Sequence, residues 1–281
     1  MAIFPSSAIP SAAGDYTIDY SCRFNPGDSS KLSRTPGSAG NRRTWTISLW
    51  TKRCGSLAAD LGLLGVQDGG DNFLVRFNAA NTLNLYNGGS SPANNVLVST
   101  NLYRDPSSWY HVVFAVDTTQ AVDTNRAKMY VNGVQVTDFD SGELNYPAIN
   151  TEWQIGNTQP HYIGANGPGS AMFYDGYLAE FHYVNALQLT PSSFGETNSD
   201  TNQWVPIRYT GAYGTNGFYL KFQDSSALGD DSSGNGNDFT VTNLVATDQM
   251  LDTPTNNFAT INPLDGNGAY SEGNLKVVTP A

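Results

Sequence analysis

Five glutamates, three histidines and two cysteines hold most of the chemistry open to this chain. Retaining glycoside hydrolysis needs two carboxylates about 5 Å apart. Glu143, Glu152, Glu180, Glu196 and Glu272 are scattered, and Glu180 in YLAEFHY has no second carboxylate at a suitable spacing. It reads as a sheet-surface or loop carboxylate. His111 and His182 lie in strand-like runs and read as packed or hydrogen-bonded sheet residues. No sequence resembles a nucleophile elbow, and no His/Cys spacing fits zinc. The catalytic set is expected to be empty. Cys22 and Cys54 are too few for a disulfide framework. They read as two unpaired thiols, with one 22–54 bridge as the alternative.

Sugar binding asks for aromatic platforms beside polar rims. Trp153, Tyr162, Asn166 and Tyr174 sit among turn-rich segments and form the candidate glycan rim. Burial in a core is the competing reading for the three aromatics. The Gly-rich runs GGSSPANN and GDDSSGNGND lack the strand–helix context of phosphate loops and read as hairpin loops.

The elements that must position these residues are strands. In Asp15–Phe24, Tyr16, Ile18, Tyr20, Cys22 and Phe24 alternate with polar residues, a period-2 pattern. Turn formers then cluster around Lys31–Arg34. TWTISLW, FLVRF and TLNLY alternate in the same way. WYHVVFAVD is apolar on both parities, which predicts a central strand buried on both faces. In KMYVNGVQV, Asn132-Gly133 suits a type I′ turn between Ala127–Val131 and Val134–Thr137. Short strands are expected at Trp153–Ile155 and Tyr162–Ile163, and a long one at Tyr174–Val184. A helical turn capped by Thr190 is expected at Thr190–Phe194. Many short strands without a 3.6-residue period predict an all-β antiparallel sandwich.

Three regions follow: an arm at 1–14, a sandwich at 15–205, and a tail at 206–281. The tail carries one good strand, Phe218–Phe222, expected to pack on the sandwich. The arm, with Ile3, Phe4 and Ile9, is expected to dock on a neighbouring chain.

Charged residues make up only 14% of the chain, and the net charge is −11. Fourteen Lys and Arg against twenty-five Asp and Glu do not easily supply the basic face that phosphate backbones require. Nucleic acid is not an expected partner. No stretch approaches the ~20 apolar residues of a membrane helix. The start, MAIFPSSAIPSAAG, lacks the basic region and apolar core of a secretory signal, so assembly in a cytoplasm is expected.

RTWTISLWTKR, WYHVVFAVDTT, RAKMYVNGVQV, HYIGANG and FYDGYLAEFHYVNALQLTPSSFGE resemble, in order and spacing, a laminin-G-like domain across about residues 15–196. The resemblance implies a concanavalin-like jelly roll. Laminin-G-like domains often hold one Ca²⁺ at the sandwich rim, for which Asp68 and Asp71 in QDGGDN are the candidates, with Asp230 and Asp231 behind them. Turn chemistry is the favoured reading of these loop aspartates, and no cofactor is expected. The sandwich glucanases of this fold carry Glu-x-Asp-x-x-Glu on one strand, and that pattern is absent here. MAIFPSSAIP, RDPSSWYH, LTPSSFGETN and YTGAYGTNGFYLKFQDSS are similar to laminin-G-like proteins of tailed, especially marine, bacteriophages. That similarity implies a non-catalytic virion protein, a tail fibre or other structural component. Its partners would be other phage structural proteins and further copies of itself. The alternative is a receptor-binding lectin module that contacts host surface glycan.

Overall fold

The computed structural model describes residues 16–55, 57–68, 71–88, 94–167, 172–263 and 268–278, apart from the side chains of Asp68 and Asp71. The arm at 1–14 lies outside the described residues. In chain order the strands are β1 (Ser21–Phe24), β2 (Lys31–Arg34), β3 (Thr44–Arg53), β4 (Leu61–Asp68), β5 (Asp71–Phe77), β6 (Leu83–Gly88) and β7 (Asn95–Val98). They continue as β8 (Trp109–Asp117), β9 (Ala127–Val131), β10 (Val134–Val136), β11 (His161–Ile163), β12 (Gly176–Asn185), β13 (Gly195–Thr197) and β14 (Trp204–Pro206). The tail adds β15 (Phe218–Leu220), β16 (Thr240–Thr242), β17 (Gln249–Met250), β18 (Ala269–Ser271) and β19 (Lys276–Val278).

Two antiparallel sheets form the sandwich. The larger runs β10-β9-β8-β3-β12-β1-β17, with β15 also paired to β12; the smaller runs β16-β2-β11-β4-β5-β6-β7. Strand alternation sends Trp45, Ile47 and Leu49 of β3 and Val112, Phe114 and Val116 of β8 into the core between the sheets. Trp45, Phe73 and Trp153 meet there edge to face, with centroids 5.2–6.0 Å apart. Asn132 and Gly133 take φ of 48° and 80°, the two left-handed positions of a type I′ turn, and join β9 to β10 as expected.

Several local expectations give way. The first strand covers only Ser21–Phe24, because both backbone groups of Ile18 are taken by the Thr255 hydroxyl, at 3.0 and 3.1 Å. Lys31–Arg34, flanked by the two turn-forming clusters and not expected as a strand, is one, held between β11 and β16. Trp153 begins no strand; its N–H donates to the Arg42 carbonyl at 2.9 Å and its ring fills the core. The turn at Pro191–Ser193 forms, but the Thr190 hydroxyl bonds to Ser192 Oγ rather than capping it. In the tail, three strands rather than one join the sheets: β15 on β12, β16 on β2 and β17 on β1. The first of them ends at Leu220, short of the expected Phe222, which lies beyond it in a left-handed conformation, φ 55°.

Candidate functional site

The outer face of the larger sheet carries the polar and aromatic residues of interest. Pairing Trp50 with His111, and Lys52 with Trp109, sets these side chains beside one another there. The segments from Ala186 onward fold back over this face and divide it in two.

One half is closed. The register of β12 against β3 slips between Ala179 and His182, and Glu180 sits in the slip with φ 47°. On the opposite edge, β1 pairs with the first half of β12 and β15 with the second, so the bulge lies at a fork. Glu180 is buried, correcting the expectation of a surface carboxylate. Its oxygens accept from the hydroxyls of Tyr16 at 2.9 Å and Tyr219 at 2.5 Å. Burial and the Glu180 charge push both phenols well above the usual tyrosine range, so they remain donors. His182 stacks on Tyr219 at 4.3 Å, and its Nδ1 lies 2.8 Å from the Tyr213 hydroxyl. This cluster uses the Glu180 carboxylate to tie the chain's entry and β15 to the bulge.

The other half is an open cleft of about 1010 Å³. Trp50, Trp109 and Trp204 line it, but Trp50 and Trp109 are buried, 5% and 8% exposed, and form its floor, so Trp204 is the ring that is accessible. Asn132, Thr197, Asn202 and Gln203 line one side, and Thr255, Asn256 and Asn257 the other. His111 lies beneath, between the rings of Trp50 at 4.9 Å and Trp204 at 5.9 Å. Indole N–H is only a donor, so the 3.0 Å bond from Trp204 Nε1 makes His111 Nδ1 an acceptor. The proton is then on Nε2, which donates to Ser48 Oγ at 2.8 Å. Burial, with His182 nearby, lowers the His111 pKa to about 3 and keeps the ring neutral. The Trp204 ring also covers the β9–β10 turn, where a Cβ on Gly133 would lie 2.4 Å from it.

The far wall hangs on a buried ion pair. Lys52 Nζ lies 2.9 Å from Asp252 Oδ2, and it also donates to Asn257 Oδ1 and the Phe258 carbonyl. Asp252 Oδ1 accepts from Trp109 Nε1 at 3.0 Å. A tail loop thereby becomes part of the cleft.

The residues expected to form a glycan rim are not brought together on the surface. Trp153 and Tyr174 have 0% exposure and belong to the core, where no sugar ring can stack on them. Tyr162 is buried in β11, and Asn166 donates to Met172 Sδ at 3.4 Å. The strand readings required apolar faces, and the core claimed these aromatics. Asp68 and Asp71 face each other in register at the end of the β4–β5 hairpin, but their side chains lie outside the described residues. The Asp231 carboxylate is taken up by the backbone N–H groups of Tyr219, Ser233 and Asn237, which is turn chemistry. Cys22 and Cys54 are both free and buried, and burial pushes both thiols up.

The tryptophans of the cleft were missed, although a signal existed. With Trp45, Ile47 and Leu49 inward, Trp50 must point outward, and a tryptophan on the polar parity of a strand needs a cover or a ligand. Trp204 sits in a segment without periodicity, and nothing local marked it.

A family model described as the Concanavalin A-like lectin/glucanases superfamily, Laminin_G_3, matches residues 26–193. Among curated proteins, none matches the sequence. A solved candidate carbohydrate-binding protein from Bacteroides ovatus ATCC 8483 aligns with TM-score 0.52 and 14% identity, over 80% of this chain and 58% of that one. The present chain thus spans less than two thirds of that relative. The heptameric SAP-like pentraxin of Limulus polyphemus aligns with TM-score 0.43 and 15% identity, over 68% and 92% of the two chains. Domains LG4-5 of the mouse laminin alpha1 chain align with TM-score 0.40 and 12% identity, over 74% and 49%. At such identities the first likeness is one of fold.

Proposed function

This chain belongs to the Concanavalin A-like lectin/glucanases superfamily, and from that premise we propose that it binds carbohydrate in the three-tryptophan cleft. The observation that carries the reading is the accessible Trp204 ring, over a floor of buried Trp50 and Trp109, beside the exposed side chains of Thr197, Asn202 and Gln203. Sugar rings offer apolar C–H faces to aromatics and hydroxyls to amides. No Asp or Glu is among the described residues lining the cleft, so binding without hydrolysis is the expected activity. Glu180 does not supply the missing acid, since both its oxygens are already hydrogen-bonded under the tyrosine cover. Titration of the purified chain with a polysaccharide panel, followed by tryptophan fluorescence, tests this. Trp204→Ala is expected to weaken binding about tenfold or more, ~1.4 kcal/mol. Undiminished binding in a folded Trp204→Ala protein would remove the cleft from consideration.

The setting proposed for this activity is the particle of a tailed bacteriophage, on the strength of the sequence motifs shared with such proteins. There the sandwich would pack in several copies against other structural chains and present the cleft to host surface glycan. Mass spectrometry of purified particles checks this, and absence from every particle would withdraw the setting while leaving the cleft untouched. No helix among the described residues is long and apolar enough to cross a membrane.

A further inference from the structure

We propose that the cleft selects uncharged oligosaccharides and discriminates against anionic ones, an inference that rests on the carbohydrate-binding reading above. None of the described residues lining the cleft carries a charge. That is a specific property of this surface, because the chain as a whole has 39 charged residues' worth of side chains to place, 14 basic and 25 acidic. The nearest buried charges, Lys52 and Asp252, neutralise each other beneath the wall.

Recognition of a carboxylate or sulfate favours arginine or lysine, whose charge-assisted bonds offset the loss of water around the anion. Here an anion would enter an aromatic site with neutral partners only, and desolvation without a counter-charge is costly. The net charge of −11 adds long-range repulsion. A neutral sugar meets the opposite situation. Its hydroxyls are both donors and acceptors, and so are the amides of Asn202 and Gln203 and the hydroxyl of Thr197. These three side chains make no hydrogen bond to the chain among the described residues, and all three are exposed. The volume of about 1010 Å³ is at the upper end for small-ligand sites, which favours several linked sugars over one.

The test uses the intact chain against dextran, mannan, galactan and laminarin on one side and alginate, hyaluronan and chondroitin sulfate on the other. Affinities are measured in low and high NaCl. At least one neutral polymer should bind, with an affinity that changes less than about twofold with salt. Every anionic polymer should bind at least tenfold more weakly. Gln203→Arg, at an exposed rim position, should gain a salt-sensitive affinity for the anionic polymers. An anionic polymer bound as tightly as the neutral ones overturns the inference; if Trp204→Ala abolishes that binding, the cleft remains the carbohydrate site. No binding to any polymer overturns the inference together with the reading beneath it. Unchanged selectivity in Gln203→Arg also overturns it, because specificity would then be set away from the cleft.

Discussion

Replacing Asp252 with alanine should both destabilise the protein and open the cleft. In the native chain Lys52 and Asp252 have side-chain exposures of 0% and 3%, and their charged atoms are 2.9 Å apart. The substitution leaves a buried ammonium with the Asn257 amide oxygen and the Phe258 carbonyl as hydrogen-bond partners and the Tyr177 ring 5.9 Å away, but no counter-charge. It also removes the acceptor of Trp109 Nε1. Breaking a buried pair from one side costs about 3–5 kcal/mol, chiefly because one charge stays desolvated. Swapping both partners for neutral groups costs far less. Asp252→Ala should therefore lower the stability obtained from urea unfolding by about 3–5 kcal/mol. The double variant Lys52→Met, Asp252→Ala should recover most of that loss, and together with Lys52→Met alone it completes a cycle that isolates the coupling. Glycan affinity should fall in both, since the 254–257 wall loses its anchor. A cost below about 1 kcal/mol for Asp252→Ala, or a double variant no better than the single, would refute the reasoning.

Acidification should destabilise the fold well before general carboxylate protonation. Burial holds His111 at about 3 and His161 at about 4, below the ~6.5 of an unfolded histidine. Below ~6.5 the unfolded chain therefore binds protons that the native chain refuses, and each histidine removes about 2 kcal/mol by pH 5. Asp175, raised by burial to about 6, acts in the opposite direction: the native chain takes its proton first, which returns about 1 kcal/mol over the same interval. The net loss from pH 7 to pH 5 should be about 2–3 kcal/mol, and a urea midpoint that holds or rises on acidification would contradict it. Gly133→Ala should cost about 2 kcal/mol, because an L side chain at φ 80° is strained and its Cβ meets the Trp204 ring at 2.4 Å. Thermal unfolding measures that loss, and titration should show glycan affinity falling with it; full affinity would mean the turn does not set the Trp204 ring.

Local pattern determined several strands and their inward faces, but not Lys31–Arg34 or Leu61–Asp68, and it placed a strand at Trp153 where none forms. Trp45, Ile47 and Leu49 alternate because a pleated strand has a period of two, and Asn132-Gly133 can satisfy a type I′ turn without help from distant residues. The order of the laminin-G-like motifs then carried the sandwich. Tertiary structure decided what lies on the outer face. Glu180 became buried because a register slip and two tyrosines more than 35 positions away on either side enclosed it. Trp50, Trp109 and Trp204 became one cleft because β3 and β8 pair in a register that the hydrophobic period alone leaves open, and because Lys52 reaches Asp252, 200 positions along the chain. Trp153 and Tyr174 were drawn inward for the same physical reason: where a loop aromatic points is decided by the cavity that the assembled sheets leave for it, and no local spacing encodes that cavity.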